Sequence, residues 1–417
     1  MTILWFSNRS VLNNAMKESG TWLLAMARLI TQYGDTKLVN ITVNPNTAKD
    51  TIEIKKSGNI IEYLLPVSKL SKERLPSSEA SNRIQQLCCT EAPDIVHVWG
   101  VENYFSHLLP RLDIKAKLLL DIQGLRGTCA DVYFGDLSPI EILKTFKLRE
   151  ILFPLSKSIF SLYRQMRLDG EYDISVLKKY KYISTQSNWI RQQMSFFANE
   201  ATIFQTHVAL REEFEQAPDW CYPVSDVPAF YVSAAGAAPY KSIQTAFRAI
   251  KLFKERTPEV KLYVVGDFRV RGVIHTSGYL YFLHDYIQRH NLHDNIIFTG
   301  ALTSSEIIDI ARRCVAYIQT SYVESYSLAL AEAQVLGVPC IISYAGAMPE
   351  LAEHEKSGLF YSPGDYVSCA ALMQRLIDDR ALATRISITS RNAARLRHKS
   401  ESVYEAQMNI YRTICNE

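Results

Sequence analysis

The chain has 417 residues, of which 47% are hydrophobic and 21% charged, with a formal net charge of +3. That length exceeds what one hydrophobic core ordinarily fills and predicts two domains of about 200 residues each. So small a positive charge gives no support to nucleic-acid binding, and no apolar run reaches the roughly 20 residues needed to span a bilayer.

The N-terminal MTILWFSNRS has an apolar run but neither a basic leader nor a small-residue cleavage site, so it is expected to be a first β-strand rather than a signal peptide. In the first half the strand patterns are TILWF (2–6), KLVNITV (37–43), DIVHVW (94–99), KLLLDI (117–122), KYIST (181–185) and ATIFQT (201–206). Helical patterns lie between them: TWLLAMARLITQY (21–33), ASNRIQQLCC (80–89) and SNWIRQQMSFF (187–197). The alternation breaks at QAPDWCYPVSDVP (216–228), where three prolines fall in thirteen residues, and this marks the domain boundary.

A second series follows, with strands AFYVSAA (229–235), VKLYVVG (260–266), NIIFTG (295–300), CVAYIQT (314–320) and PCIIS (339–343). Helices are expected at 242–256, 278–290 and 304–313, and the chain closes with an amphipathic helix, SESVYEAQMNIYRTI (400–414). Alternating strands and helices predict an α/β chain of two Rossmann-like domains facing a central cleft. The expected division is 1–216, 217–396 and a terminal helix, 397–417, that crosses back to the first domain. Ligands of such sheets sit at the carboxyl ends of the strands.

One such end leads into SYVESYSLALAEAQVLGVPCIIS (321–343), where Glu324 and Glu332 stand eight residues apart. Ser321 to Glu324 is expected to form the turn, with Tyr326 or Ser327 opening the helix. The hydroxyls of Ser325 and Ser327 suit a helix N-terminus, and the free N–H groups of 325–327 suit a diphosphate. Glu332 lies about 8–9 Å further along the helix axis at 1.5 Å per residue, close to the span from a diphosphate to its ribose. A carboxylate accepts from two vicinal hydroxyls, which fits a ribose diol. Glu324 could take sugar hydroxyls or face developing charge. An ordinary amphipathic helix with one exposed glutamate explains the spacing equally well.

The whole segment is more specific than its two acids. Glu324, Glu332–Ala333, Gly337–Val338–Pro339, Gly346, Pro349–Glu350 and Gly358 follow the pattern of the donor-binding segment of retaining GT-B glycosyltransferases, the family known as GT4, which this stretch resembles. VVG (264–266), FTG (298–300), ESGTWLLAMARLI (18–30), PDIVHVWG (93–100) and KLLLDIQG (117–124) extend the likeness weakly over most of the chain. The resemblance implies transfer of a sugar from a nucleotide-diphosphate donor to a glycan or lipid-linked glycan hydroxyl, with retention and without a metal or other cofactor. It suggests a role in cell-surface polysaccharide or glycoconjugate synthesis. It also implies that Glu332 holds the ribose, Glu324 the sugar, and the amides around Ser325, Tyr326 and Ser327 the diphosphate. Lys241 would neutralise the phosphates, Gly20 and Thr21 would let the first-domain loop approach them, Gly300 would admit the base, and Gly266 is a further donor-binding position.

Three positions depart from the family pattern. Gly236 stands where an arginine is usual, Ser242 where a glycine follows the lysine, and Gln123 where a histidine is common. One phosphate-binding cation is therefore either missing or supplied from elsewhere, with Arg269 and Arg271 as the candidates. A nucleotide-sugar epimerase or hydrolase, or a non-catalytic nucleotide-sugar-binding scaffold, remains an alternative. The absence of an Asp-x-Asp pair fits the metal-free reading.

Outside that segment, His97 ends a strand and is expected near the cleft as a sugar contact, with Glu102 and Asp121 of similar standing. His290 and His293 lack further zinc ligands and read as surface. The eight cysteines show no CxxC spacing and read as reduced thiols of a cytoplasmic protein. Residues 144–181 interleave lysines and arginines with Phe146, Phe153, Phe160 and Tyr163. That pattern fits either a solvated helical face or a peripheral contact with anionic lipid on the cytoplasmic side.

Overall fold

The computed structural model describes residues 1–12, 21–48, 51–146, 158–233, 236–270 and 277–417. Gly20, Arg271 and part of the basic–aromatic segment (147–157) lie outside the described residues.

Two sheets carry the fold. The first contains β1 (Thr2–Phe6), β2 (Lys37–Val43), β3 (Glu53–Ser57), β4 (Ile60–Leu65), β5 (Ile95–Trp99), β6 (Lys117–Ile122), β7 (Tyr182–Thr185) and β8 (Thr202–Gln205). Its strand order is β3-β4-β2-β1-β5-β6-β7-β8, parallel except for the β3–β4 hairpin. The second contains β9 (Ala229–Ser233), β10 (Lys261–Val265), β11 (Ile296–Gly300), β12 (Ala316–Gln319), β13 (Cys340–Ser343) and β14 (Leu359–Tyr361). It is parallel throughout, in the order β11-β10-β9-β12-β13-β14.

Both orders reverse direction in the middle, between β1 and β5 and between β9 and β12. At such a switch point the two flanking crossovers leave in opposite directions and open a crevice beyond the strand ends. The segments after β9 and β12 therefore face the site.

Period-2 alternation explains why these strands are apolar on both faces. Ile3 and Trp5 of β1 enter one core, while Leu4 and Phe6 enter another on the opposite side. The strands missed from sequence are those of the β3–β4 hairpin and β14, and the helices Ile159–Leu177, Tyr366–Asp378 and Arg380–Arg397 were missed as well. Strand β3 is an exposed edge, EIKKS, whose charges discourage further strand pairing but also erase the apolar signal. Strand β14 has only three residues.

The terminal helix, Ser400–Asn416, lies against the first sheet. Tyr411 accepts a hydrogen bond from Trp5 Nε1 at 3.1 Å, Lys117 Nζ donates to the Ile414 carbonyl at 2.8 Å, and Thr206 Oγ1 donates to Gln407 at 2.6 Å. Two carboxylates also bridge the sheets. Glu350 accepts from the amides of Asn188 and Trp189 at 2.8 and 2.7 Å, occupying the N-terminus of the helix Asn188–Phe197. Asp136, on the long β6–β7 connection, meets Ser242, Gln244, Thr245 and Arg248 at the start of the helix Ile243–Lys254.

That convergence makes Asp136 a docking residue. Asp136→Asn removes the charge opposite Arg248 and the helix dipole, and a melting temperature lower by about 2–4 °C is expected. A scan superimposable on that of the wild type would show that the carboxylate's charge does not hold the two sheets together.

Candidate active site

Strand β12 ends at Gln319, and the chain turns through Thr320–Glu324 before the helix Leu328–Leu336. The turn holds Glu324 firmly. Its Oε1 accepts from Lys241 Nζ at 2.7 Å, Ser321 Oγ at 2.6 Å and Gln319 Nε2 at 3.0 Å. Lys241 comes from the other side of the switch point, after β9, and Thr320 Oγ1 donates to its carbonyl at 2.6 Å. Burial works against the lysine ammonium, but the facing Glu324 carboxylate outweighs it and raises the Lys241 pKa above its ordinary value.

Gly346 closes the turn from the β13 side. Its φ is +53°, and an added Cβ would collide with the carbonyl oxygen of Glu324 and stand 2.9 Å from its amide nitrogen. The Ala347 amide donates to that same carbonyl at 2.9 Å. Only glycine combines this backbone conformation with so close an approach.

A cavity of about 190 Å³ lies over this pair, lined by Gln123, Gly124, Cys129, Lys241, Glu324 and Ser325 among others. The two sheets thus contribute opposite walls. Ser325 Oγ donates to the Gln123 carbonyl and pins the two together. Burial pushes the Cys129 thiol up to about 11, so it remains protonated at neutral pH.

The helix opens one residue later than expected. Ser327, at φ +71°, is its cap and accepts from the Leu330 amide at 3.4 Å, while its carbonyl takes the Ala331 amide. The amides of Leu328 and Ala329 precede the first intrahelical bonds and point out of the helix N-terminus. Tyr326 contributes only backbone to this turn, because its side chain is buried and its hydroxyl pairs with His398 at 3.1 Å. Gly266 and Gly300 meet at the ends of β10 and β11, where the Gly266 amide donates to the Gly300 carbonyl at 3.0 Å. Nothing lies within 4 Å of a Cβ built on Gly300, so this sheet edge is open. Thr21 opens the helix Thr21–Gln32.

Three expectations need correction. His97 does not face the cleft. On β5 it shares the face of Trp5 and Trp99, which the terminal helix covers; it is fully buried, with Nδ1 2.7 Å from the Tyr411 hydroxyl. Burial lowers its pKa well below the ordinary histidine value, so it is neutral. Arg269 is not a spare phosphate cation, because both its Nε and a terminal nitrogen bind Asp267 at 2.9 and 3.0 Å. Glu332 is not a free carboxylate. Arg211 grips it through two hydrogen bonds of 2.8 and 2.7 Å and also reaches Ser304 at 3.2 Å. No local signal could have revealed Arg211, which stands 121 residues away in the chain. At Gly236 an added Cβ would meet nothing within 4 Å, so the missing arginine is not excluded by crowding.

Asp121, the last residue but one of β6, is completely buried and accepts from Ser184 at 2.8 Å and Gln186 at 3.3 Å. Burial pushes its carboxyl from 3.8 up to about 7, those two hydrogen bonds pull it partly back, and nearby Glu102 adds to the rise. Glu102 is itself raised by burial. Between about pH 4 and 7 folded Asp121 keeps a proton that the unfolded chain releases. Its contribution is therefore complete below pH 4 and lost as the pH rises to 7. Asp121→Asn, uncharged throughout, should gain about 2 kcal/mol on the wild type between pH 5 and pH 8 in urea unfolding. A stability difference independent of pH would contradict a raised Asp121 pKa.

Residues 223–393, which hold Lys241, Glu324 and Glu332, match the family model described as Glycosyl transferases group 1. The fold is GT-B. A sucrose-phosphate synthase from Thermosynechococcus elongatus superimposes with a TM-score of 0.72 at 15% identity, over 99% of this chain and 98% of that one. The Anabaena HepE protein in complex with UDP-glucose superimposes at 0.66 and 14% identity, over 100% of both chains. In sequence, the uncharacterized glycosyltransferase YqgM of Bacillus subtilis is 22% identical over 187 residues, which are 45% of this chain and 50% of that protein. The GT-B chain spans about half the length, or less, of the curated relatives it matches.

Proposed function

We propose that this chain is a group 1 glycosyltransferase that moves a sugar from a nucleotide-diphosphate donor to the hydroxyl of a glycan or lipid-linked glycan. The observation that carries the proposal is the Lys241–Glu324 pair at the switch point of the second sheet. A cation and an oriented carboxylate stand together there, beside a helix N-terminus. Such a group fits a diphosphate and the sugar attached to it. Three donors on Oε1 hold the Glu324 carboxylate still, so it meets the sugar without reorganising.

In the proposed reaction the donor diphosphate lies against Lys241 and the amides that open the helix Leu328–Leu336. Glu324 faces the sugar, and Glu332, shared with Arg211, lies one and a half turns further on for the ribose. The bond between the anomeric carbon and the diphosphate oxygen breaks. The acceptor oxygen bonds to the same face of that carbon, and its proton passes to the leaving diphosphate. Retention follows from that same-face approach, and the positive charge comes from Lys241 and backbone amides rather than a metal. Gln123, a neutral amide, can hydrogen-bond sugar hydroxyls but does not carry the proton.

Contact with a membrane surface belongs to the same proposal. Ile140, Leu143, Phe146, Phe160, Leu162 and Leu168 are all exposed among the described residues, close to exposed Lys144, Arg164 and Arg167. No helix among the described residues is long and apolar enough to cross a membrane. Stronger retention on anionic than on neutral liposomes is expected; equal retention would remove the electrostatic part.

A thermal-shift screen with UDP, GDP, ADP and CDP and their sugars tests the core of the proposal. One base is expected to raise the melting temperature and to support transfer that EDTA leaves unchanged, with the donor's anomeric configuration kept in the product. No shift with any of the nucleotides would overturn it.

A further inference from the structure

Beside the cavity over Lys241 and Glu324 lies a second, larger one of about 580 Å³, within the usual size range of small-molecule sites. The two are contiguous: Leu125, Thr128 and Trp189 line both. Their walls differ in chemistry. The smaller cavity presents an ammonium, a carboxylate and an amide, while Leu125, Ile174, Trp189, Phe196 and Phe197 give the larger an apolar wall, with Asp131, Arg167 and Glu171 also lining it.

Local packing explains how the groove is built. The helix Ile159–Leu177 crosses the turn helix Arg126–Asp131 at a glycine pair, where a Cβ on Gly170 would collide with the Gly127 backbone. Arg126 fastens the same crossing through Asp169 at 3.1 Å and Asp173 at 2.9 Å. The far wall is the helix Asn188–Phe197, whose Phe196 is 81% exposed despite being a large apolar side chain. Thr128 Oγ1, at the junction with the smaller cavity, donates to Gln193 at 3.1 Å. Phe196 thus gives the groove an exposed apolar edge. Continuity with the donor cavity gives it an occupant.

Resting on the transferase reading above, we infer that this groove receives an apolar aglycone of the acceptor. An alkyl or prenyl chain attached next to the glycosylated hydroxyl would lie between Ile174 and Phe196. Its hydroxyl would then stand at the Thr128 junction, facing Glu324. Each methylene buried there favours the bound state, so chain length rather than sugar identity sets the affinity of this subsite.

The test compares n-octyl β-D-glucopyranoside with methyl β-D-glucopyranoside, which share a head group. Binding to the full chain is measured by calorimetry below the micellar concentration and without nucleotide. The wild type is expected to bind the octyl glucoside at least about tenfold more tightly. Phe196→Ser should cut that advantage by about threefold or more, and Phe196→Leu should restore most of it. Phe196 is mostly exposed, so the melting temperature should be unaffected by either change. Equal affinity for the two glucosides, or an octyl preference that Phe196→Ser leaves intact, would overturn the assignment. Failure of the transferase reading has a separate signature, the absence of nucleoside-diphosphate binding, which this titration does not involve.

Discussion

Lys241→Met is expected to weaken nucleoside-diphosphate binding by about ten- to a hundredfold, the range for loss of one hydrogen bond to a charged group. The methionine keeps most of the side-chain volume but leaves the diphosphate without its cation. It also leaves Glu324 with only Ser321 and Gln319 as donors. Like charges would then face each other across the cavity, so Lys241→Met combined with Glu324→Gln should lose less affinity than Lys241→Met alone. Titration of the wild type and these two variants against the nucleotide found by thermal shift measures this directly. Unchanged affinity in Lys241→Met would move the phosphate site elsewhere.

The second large effect concerns folding. Arg211 and Glu332 are 15% and 12% exposed in their side chains and joined by a two-point contact. Removing one partner leaves the other charge largely out of water. Arg211→Met should therefore cost about 2–3 kcal/mol in urea unfolding, short of the penalty for a completely buried pair. The double variant Arg211→Met/Glu332→Leu should recover much of the loss, because no lone charge remains. Additive losses would mean that the pair is not coupled. Glu332→Ala is consequently a poor probe of ribose binding by itself, since it strands Arg211. Glu332→Gln, which keeps one acceptor oxygen against Arg211, is the cleaner one.

The missing family arginine is sharpened by the structure rather than resolved. Gly236 has room for a side chain, Arg269 is held by Asp267, and Lys241 is the lysine or arginine that reaches the small cavity among its described lining residues. The helix N-terminus at Leu328 supplies the remaining positive potential. Among the described lining residues the proposed site has one side-chain cation beside backbone amides, and the large expected effect of Lys241→Met follows from that proposal.

Most of the fold was legible because its elements announce themselves locally. Buried parallel strands such as KLLLDI and CIIS are continuous apolar runs, and capped helices such as SSEIIDIARR begin with Thr303 and Glu306 in reciprocal hydrogen bonds. Strand β3 escaped notice because an edge strand need not be apolar, and β14 because three residues make no pattern. The Glu324 turn was legible as a unit because Glu324, Glu332 and Gly346 follow the pattern of the family the segment resembles, and the serines at 325 and 327 suit a helix N-terminus.

Sequence alone determined that two α/β domains would place Lys241, Glu324 and the Ser327 helix start at strand ends. Short-range propensities and side-chain periodicity dictate those positions. Only the tertiary structure decided which partners each group meets. Strand parity put His97 under the terminal helix instead of in the cleft, and a contact across 121 residues gave Glu332 its arginine. The β6–β7 connection brought Asp136 onto the second sheet and laid an apolar groove beside the donor cavity. Long-range contacts form where surfaces are complementary in space, and a chain read in order carries no local mark of them.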